Sequence, residues 1–195
     1  MSKMTLTEVV RKGLKLKKED RASMLGIGPM SKMLIKASIL LAKEKDFPLI
    51  FIASRNQVDA QELGGGYVCN WDQKGFSEAI KKVADEVGFD GLYYLCRDHG
   101  GPWQRDKERK DHLPEEEAMR LGKISYVYDL ENGFDLLHID PTKDPYVVGK
   151  VIDVNVVLRR TVELIEYVEK ERIARKLPEI SYEVGTEETN GGLTS

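Results

Sequence analysis

The sequence is short of cysteine, of long apolar runs and of any excess of charge of one sign. Its two cysteines, Cys69 and Cys96, stand alone and far apart, which argues against a disulfide framework and a structural zinc site. The 30 Lys and Arg residues are interleaved with 33 Asp and Glu residues, so the formal net charge of −3 offers nucleic acid no basic field. No apolar run reaches the roughly 18 residues that a membrane span needs, and the N-terminal residues lack the apolar core of a signal peptide. We therefore expect a cytoplasmic protein with neither a nucleic-acid nor a membrane partner.

The length of the chain suits one domain. A chain of 195 residues can bury a sizeable core within a single compact unit. Near its start, Thr5 followed by Glu8 is a capping-box pattern, and apolar residues then recur at helical spacing. This pattern predicts a leading helix within residues 1–21, which ends in a charged segment.

After this helix, short apolar segments alternate with longer stretches in which apolar residues recur at helical spacing. The short segments predict five strands, at residues 24–27, 48–53, 91–96, 135–139 and 180–184. The helical stretches between them predict parallel βαβ units with right-handed crossovers. Such units form either an open doubly wound sheet or a barrel, and periodicity alone does not distinguish the two.

The residues that follow the strands favour the barrel. A dinucleotide-binding doubly wound fold needs three glycines after its first strand, but the segment Gly26-Ile27-Gly28-Pro29-Met30-Ser31 supplies only two. Polar or charged residues follow the later predicted strands, and in a barrel these strand ends converge on one face. We therefore predict a TIM-type (β/α) barrel, with residues 1–195 forming either one domain or the N-terminal portion of one.

Four motifs at these strand ends resemble those of a known family. They are Asn56-Gln57-Val58 with Gly65-Gly66-Tyr67, Asp98-His99-Gly100-Gly101-Pro102, His138-Ile139-Asp140 and Gly185-Thr186-Glu187. In this order they resemble the non-catalytic Z subunits of class II D-tagatose-1,6-bisphosphate aldolases, which are related to the class II ketose-bisphosphate aldolases. The resemblance covers roughly residues 24–192 but only the first five strands of such a barrel. The open edge is therefore expected to be completed by further chain, a second copy or a partner chain.

The resemblance also implies roles for individual residues. Class II aldolases hold the ketose on a divalent metal that polarises its carbonyl, and zinc or manganese is the metal expected here. By the resemblance, Asp98 is the general acid and base, His99 is a metal ligand and Glu183 is a second metal ligand. Asp140 and Glu187, which lie in the same motifs, are further candidate catalytic residues.

Other candidates follow from the residues themselves. His138 and Asp140 share one face of their strand, where polar side chains are costly unless they are paired or face a site. They are therefore either a hydrogen-bonded pair inside the barrel or part of a binding site, with His138 a candidate for substrate binding. Asn56 and Gln57 either form a turn or bind sugar hydroxyls, because their amides both donate and accept. The glycines at 64–66 either bring the backbone close to a phosphate or form a flexible hinge.

These observations predict a protein of sugar or sugar-phosphate metabolism, a Z-type subunit that supports a class II tagatose-1,6-bisphosphate aldolase. Its expected partners are a small sugar or sugar phosphate, and either a catalytic aldolase subunit or a second copy of the chain. One alternative is a metal-dependent ketose or ketose-phosphate C4 epimerase or aldolase in its own right, which Asp98, His99 and Glu183 together make chemically feasible. Another alternative is a non-catalytic sugar-binding module.

Overall fold

Five parallel strands form one sheet in the computed structural model of the protein, which describes residues 3–21 and 23–186. The strands are β1 (Leu25–Ile27), β2 (Leu49–Ser54), β3 (Tyr93–Gly100), β4 (Leu136–Ile139) and β5 (Ser181–Val184). They pair in sequence order, β1-β2-β3-β4-β5, and every neighbouring pair is parallel. A doubly wound sheet reverses its strand order at a switch point, whereas a barrel does not. The strand order confirms the predicted fold class, here as an open partial barrel.

The described residues form six α-helices. They are α1 (Leu6–Leu14), α2 (Lys32–Lys45), α3 (Gln73–Val87), α4 (Asp106–Lys110), α5 (Glu115–Glu131) and α6 (Val154–Ala174), with 3-10 turns at Lys18–Asp20 and Gln61–Leu63. The capping box of α1 is present, because Thr5 and Glu8 each accept a hydrogen bond from the other's backbone N–H. The helix ends at Leu14, earlier than the predicted leading segment. None of these helices is long and apolar enough to cross a membrane.

The helices between strands pack against the outer face of the sheet. Alternate residues of β2, such as Leu49 and Phe51, are fully buried on that face. They belong to one apolar cluster with helical residues such as Ile39 of α2 and Ile80 of α3. Strand residues repeat on one face every two positions and helix residues about every 3.6 positions, which explains the sequence pattern. Each buried side chain of this size contributes about 1.5–3 kcal/mol to folding.

Helix α1 closes the inner face of the sheet near the amino-terminal ends of the strands. Leu6 packs there against Tyr94 and Cys96 of β3. The Tyr94 hydroxyl donates a hydrogen bond to the backbone oxygen of Met4 at 2.9 Å. Burial raises the pKa of Tyr94 to about 12 and also raises the pKa of the Cys96 thiol, so both groups stay protonated at neutral pH. With this end closed, the carboxyl end of the sheet is the one left for a ligand.

Candidate functional site

A β-bulge in β3 brings two consecutive side chains to the carboxyl end of the sheet. The strands β3 and β4 pair regularly up to Arg97, but between there and Gly100 β3 carries one residue more than β4. His99 lies in this interval and has a φ of 43°, in the left-handed region. Neighbours in a regular strand point to opposite faces, whereas a bulge re-aims a side chain. As a result, Asp98 and His99 both approach His138 of β4.

Asp98, His99 and His138 form what we call the mouth cluster. One potential ligand atom from each residue lies within 4.8 Å of the others. Oδ1 of Asp98 is 3.7 Å from Nε2 of His99, and the two imidazole centroids are 4.5 Å apart. Asp98 and His99 are partly exposed, whereas His138 is buried. The cluster therefore unites a predicted acid and base, a predicted metal ligand and a predicted substrate-binding residue.

Asp140 lies behind the mouth cluster and contacts His99. Its Oδ2 is 2.7 Å from Nδ1 of His99, and its Oδ1 accepts hydrogen bonds from the backbone N–H and the hydroxyl of Thr142. Burial alone would raise the pKa of Asp140, but the hydrogen bonds from His99 and Thr142 outweigh burial and hold it below its ordinary value of 3.8. The carboxylate thus fixes the His99 ring through Nδ1, with Nε2 on the side of Asp98. Carboxylates commonly orient metal-binding histidines in this way.

His138 is held by backbone contacts at both its ring and its main chain. Its Nδ1 accepts a hydrogen bond from the backbone N–H of His99 at 3.3 Å, and its backbone oxygen accepts one from the Tyr126 hydroxyl at 2.9 Å. Its Nε2 is buried without a hydrogen-bond partner among the described residues. Gly185 packs on this nitrogen, because a Cβ built there would lie 2.4 Å from Nε2. An unsatisfied buried polar atom is uncommon in proteins, and in this conformation Gly185 covers the position that a partner of Nε2 would take.

The donor set of the mouth cluster fits a divalent cation. Imidazole nitrogens and carboxylate oxygens are the groups that bind zinc and manganese in proteins. Because Nδ1 of His99 is engaged by Asp140, its Nε2 is the nitrogen that faces Asp98 and suits a cation. His138 accepts a hydrogen bond at Nδ1, so in its neutral form Nε2 carries the proton, and His99 and Asp98 are the members of the cluster whose atoms suit a cation.

Of the two predicted glutamates, the structure describes only Glu183, which is not a member of the mouth cluster. Glu183 pairs in register with His138 across β4 and β5, but it is exposed and does not belong to the three-residue group of potential ligands. Glu187 lies outside the residues that the structure describes. The role of Glu183 as a metal ligand and the catalytic role of Glu187 stay predictions.

The side-chain amides of Asn56 and Gln57, which follow β2, are engaged by groups of the protein itself. Asn56 Nδ2 donates to Oδ1 of Asp106 at 3.1 Å, and Asn56 Oδ1 accepts from the Asp106 backbone N–H at 3.3 Å. Gln57 Oε1 accepts from the Ser54 N–H at 2.8 Å, while its Nε2 contacts Sδ of Met30 at 3.3 Å. These bonds are typical of a turn for Gln57, whereas for Asn56 they link the loop after β2 to the start of α4. Sugar binding by the two amides stays a prediction.

Two buried arginines support the mouth and were not among the predicted site residues. Arg97 is fully buried and makes two hydrogen bonds to the carboxylate of Asp129. Burial would lower the pKa of Arg97, but the charge of Asp129 raises it, so the guanidinium stays charged. Arg55, also fully buried, pairs with Asp59 at 3.1 Å and with Glu108 at 2.7 Å. The sequence did contain one indication of this role. Arg97 stands at an outward position of a buried strand, where a charged side chain needs a partner.

Comparison with known proteins supports the fold and the family that the motifs resemble. A family model described as "D-tagatose-1,6-bisphosphate aldolase subunit GatZ/KbaZ-like" matches residues 8–194. The crystal structure of a probable tagatose 6 phosphate kinase from Sinorhizobium meliloti 1021 has a similar fold, with a TM-score of 0.70 at 24% identity. The similarity covers 85% of this chain and 39% of that chain, so this chain spans well under half of its neighbour's length. No curated protein matches the chain.

Proposed function

Because this chain belongs to the D-tagatose-1,6-bisphosphate aldolase subunit GatZ/KbaZ-like family, which its motifs predicted, we propose that it is a ketose-binding subunit supporting a class II tagatose-1,6-bisphosphate aldolase. The observation that carries this proposal is the convergence of Asp98, His99 and His138 at the carboxyl end of a parallel sheet. Barrel proteins bind their ligands at that end. The proposed ligand is a ketose or a ketose phosphate.

The chemistry of the mouth cluster suits a ketose. A ketose offers a carbonyl oxygen beside hydroxyl groups, so it needs both donors and acceptors. Asp98, whose side chain is 41% exposed, can accept a hydrogen bond from a hydroxyl. When neutral, His138 carries its proton on Nε2, because its Nδ1 accepts a hydrogen bond, and this N–H donates to a sugar oxygen only when Gly185, which covers it, moves away.

The subunit role is tested by mixing the purified chain with a catalytic class II tagatose-bisphosphate aldolase subunit. We expect the two proteins to co-elute in gel filtration at micromolar concentration and the chain to slow thermal inactivation of the aldolase. Asp98→Asn changes only the ligand site, so it should associate as the wild type does. If neither co-elution nor protection occurs at micromolar concentration, the proposed subunit role is wrong.

We further propose that the mouth cluster holds zinc or manganese, with Nε2 of His99 and the carboxylate of Asp98 as ligands. Such a cation supplies Lewis-acid polarisation of a ketose carbonyl. Calorimetric titration of zinc into metal-free protein tests the site. His99→Ala should weaken zinc binding by about tenfold or more, whereas His112→Ala, at an exposed histidine outside the cluster, should not. Equal zinc affinity in the two variants would contradict the assignment.

A second candidate is a metal-dependent ketose or ketose-phosphate C4 epimerase or aldolase. The position of Asp98 favours it, because this partly exposed carboxylate lies 3.7 Å from Nε2 of His99 and can exchange a proton with a hydroxyl of a bound ketose. Turnover of tagatose, fructose and their phosphates with added zinc or manganese is the test. Asp98→Ala should abolish turnover, and an unchanged rate removes the enzymatic assignment. Sugar binding without turnover or metal would instead identify a non-catalytic sugar-binding module.

A further inference from the structure

A polar pocket lies beside the mouth cluster. It has a volume of about 480 Å³ and is lined by Ser54, Asn56, residues 64–67, Arg105 and Asp106. Ser54 is the last residue of β2 and pairs in register with Asp98 of β3. Neighbouring strands lie about 4.8 Å apart, so the pocket and the cluster sit side by side at the same end of the sheet. A sugar bound at Asp98 is therefore within reach of this pocket.

Hydrogen bonds from Arg105 and Asp106, at the start of α4, to the loop after β2 fix the walls of the pocket. Asn56 and Asp106 exchange two hydrogen bonds, at 3.1 and 3.3 Å. Nη1 of Arg105 donates to the backbone oxygens of Arg55 at 2.9 Å and Gly65 at 2.8 Å. These contacts hold the guanidinium and the carboxylate in place before any ligand arrives. Preorganised groups of this kind lower the entropic cost of binding.

The glycine loop of this pocket is not arranged as a phosphate cradle. The backbone N–H groups of Gly64, Gly65 and Tyr67 each donate to a backbone oxygen of the same loop at 3.0 Å. An anion-binding nest needs successive N–H groups that are available to the ligand. Among residues 64–67, only Gly66 keeps an N–H without such a backbone bond. Residues 64–67 therefore do not offer the successive backbone N–H donors that phosphate binding by these glycines needs.

The charges around the pocket also disfavour a phosphate. Arg105 lies 3.3 Å from the carboxylate of Asp59, and Arg109 pairs with Asp106. The Asp106 carboxylate itself forms part of the wall and would repel a phosphate dianion. A neutral polyol, in contrast, meets a charged donor and a charged acceptor side by side. Tyr67, which is 62% exposed, adds a ring surface for the apolar face of a sugar.

We propose that this pocket binds the end of a ketose remote from Asp98, and that this end carries free hydroxyls. The proposal rests on the proposed ketose site at the mouth cluster, and it adds Arg105, Asp106 and Tyr67 as ligand-binding residues. The ligand of the chain is then a ketose or a ketose monophosphate. A ketose bisphosphate binds less well, because one of its phosphates must meet Asp106.

Isothermal titration calorimetry with D-tagatose and D-tagatose 1,6-bisphosphate tests the proposal on the full chain. The wild type should bind the free ketose more tightly than the bisphosphate. Asp106→Asn should weaken binding of D-tagatose by about tenfold and narrow the difference between the two ligands. Asp111→Asn changes an exposed carboxylate that does not line the pocket, so both affinities should match the wild type.

Two results overturn the proposal. Tighter binding of the bisphosphate by the wild type would identify a phosphate site. Unchanged affinity for D-tagatose in both Asp106→Asn and Tyr67→Ala would show that the ketose does not use the pocket. Because Tyr67 is exposed, its replacement leaves the core intact, which circular dichroism verifies. Failure to associate with an aldolase subunit would contradict the subunit role alone. No ketose binding at millimolar concentration would contradict the ketose site at the mouth cluster together with this pocket, whereas binding that is unchanged in the pocket variants would contradict the pocket alone.

Discussion

At His99 the backbone enters the left-handed region, and this one conformation gives the mouth cluster its geometry. Asp98 and His99 are consecutive, so in a regular strand one of them would face the helices instead of the mouth. A left-handed conformation costs a non-glycine residue about 1–3 kcal/mol, and such strain concentrates at functional sites. The contact of His99 with Asp140 is one of the interactions that maintain this backbone conformation.

Replacement of Gly185 by alanine should disturb the neighbouring imidazole. Its new Cβ would lie 2.4 Å from Nε2 of His138, so the ring must move. We expect Gly185→Ala to weaken ketose binding by about tenfold and to lower the free energy of unfolding by about 1–3 kcal/mol. Gly13→Ala, on a helix surface with no atom within 4 Å of the added Cβ, should stabilise the protein by about 0.5–1 kcal/mol. Calorimetry measures the ketose affinity, and urea unfolding measures the free energy of unfolding. Equal values for the two variants would contradict the packing of Gly185 against His138.

The buried carboxylate of Asp59 should make stability depend on pH. Burial alone would raise its pKa, but the charges of Arg55 and Arg97 hold it below the ordinary value of 3.8. A lowered folded-state pKa contributes stability above the ordinary value, and this contribution is lost as the pH falls through the folded pKa. Asp59→Asn should lower the free energy of unfolding by about 3–5 kcal/mol at pH 7.

Urea unfolding of the wild type and of Asp59→Asn across a pH series measures this contribution. The difference between the two proteins should shrink below about pH 4. The exposed Asp111→Asn serves as the control and should follow the wild type at every pH. A difference that stays constant down to pH 3 would mean that Asp59 does not contribute through its charge.

The sequence identified the candidate residues at this scale but not their contacts. The strand period of two placed His138 and Asp140 on one face, and the motif marked Asp98 and His99. The bulge and the bond between His99 and Asp140 depend on how β3 pairs with β4, which a single sequence does not contain. Local sequence also gave no reason to pair Arg97 with Asp129, because they lie on different elements.

Among the secondary-structure elements, α1 contributes to stability chiefly through one buried leucine. Leu6 is 4% exposed and packs on Tyr94 and Cys96, whereas Leu14 at the end of the same helix is 59% exposed. Leu6→Ala should lower the free energy of unfolding by about 2–5 kcal/mol, because it leaves a cavity under the sheet. Leu14→Ala should have little effect, and similar losses in urea unfolding of the two variants would refute the packing of α1.

Element boundaries were least predictable where strands carry polar residues. The predicted third strand ends at residue 96, but β3 continues to Gly100, because Arg97 is neutralised by Asp129 and the bulge accommodates His99. Helix α4 has no sequence pattern that predicts it. Its five residues are too few for apolar periodicity to appear, and tertiary contacts such as that of Glu108 with Arg55 hold it in place.

At the scale of the whole molecule, the described part of the chain leaves the sheet and the helix layer open at both ends. Among the described residues, β1 and β5 each pair with one strand only, and α2 and α6 each expose apolar side chains. The exposed residues include Leu40 and Leu41 on α2 and Val154, Leu158 and Val162 on α6. The motifs predicted both the family and the barrel topology, and both are confirmed. Local sequence patterns do not identify a partner for these exposed residues, because such patterns report burial within an element and not the surface that it meets.

The open ends predict association. Exposed apolar stripes of this kind favour burial against another chain. At micromolar concentration, alone or with a catalytic aldolase subunit, the chain should sediment as a species larger than its 22.1 kDa mass. The double variant Leu158→Glu/Val162→Glu should sediment as a monomer, whereas Glu166→Gln, an exposed change on the same helix, should not. A wild-type monomer under both conditions would contradict this prediction.

The central claim is that the bulge in β3 turns Asp98, His99 and His138 into one ligand site. A crystal structure of the protein soaked with zinc and D-tagatose tests it most directly. We predict an anomalous zinc peak about 2.0–2.2 Å from Nε2 of His99 and from an oxygen of Asp98, with the ketose contacting His138. Zinc and ketose bound elsewhere, with the mouth cluster lacking both, would contradict the account.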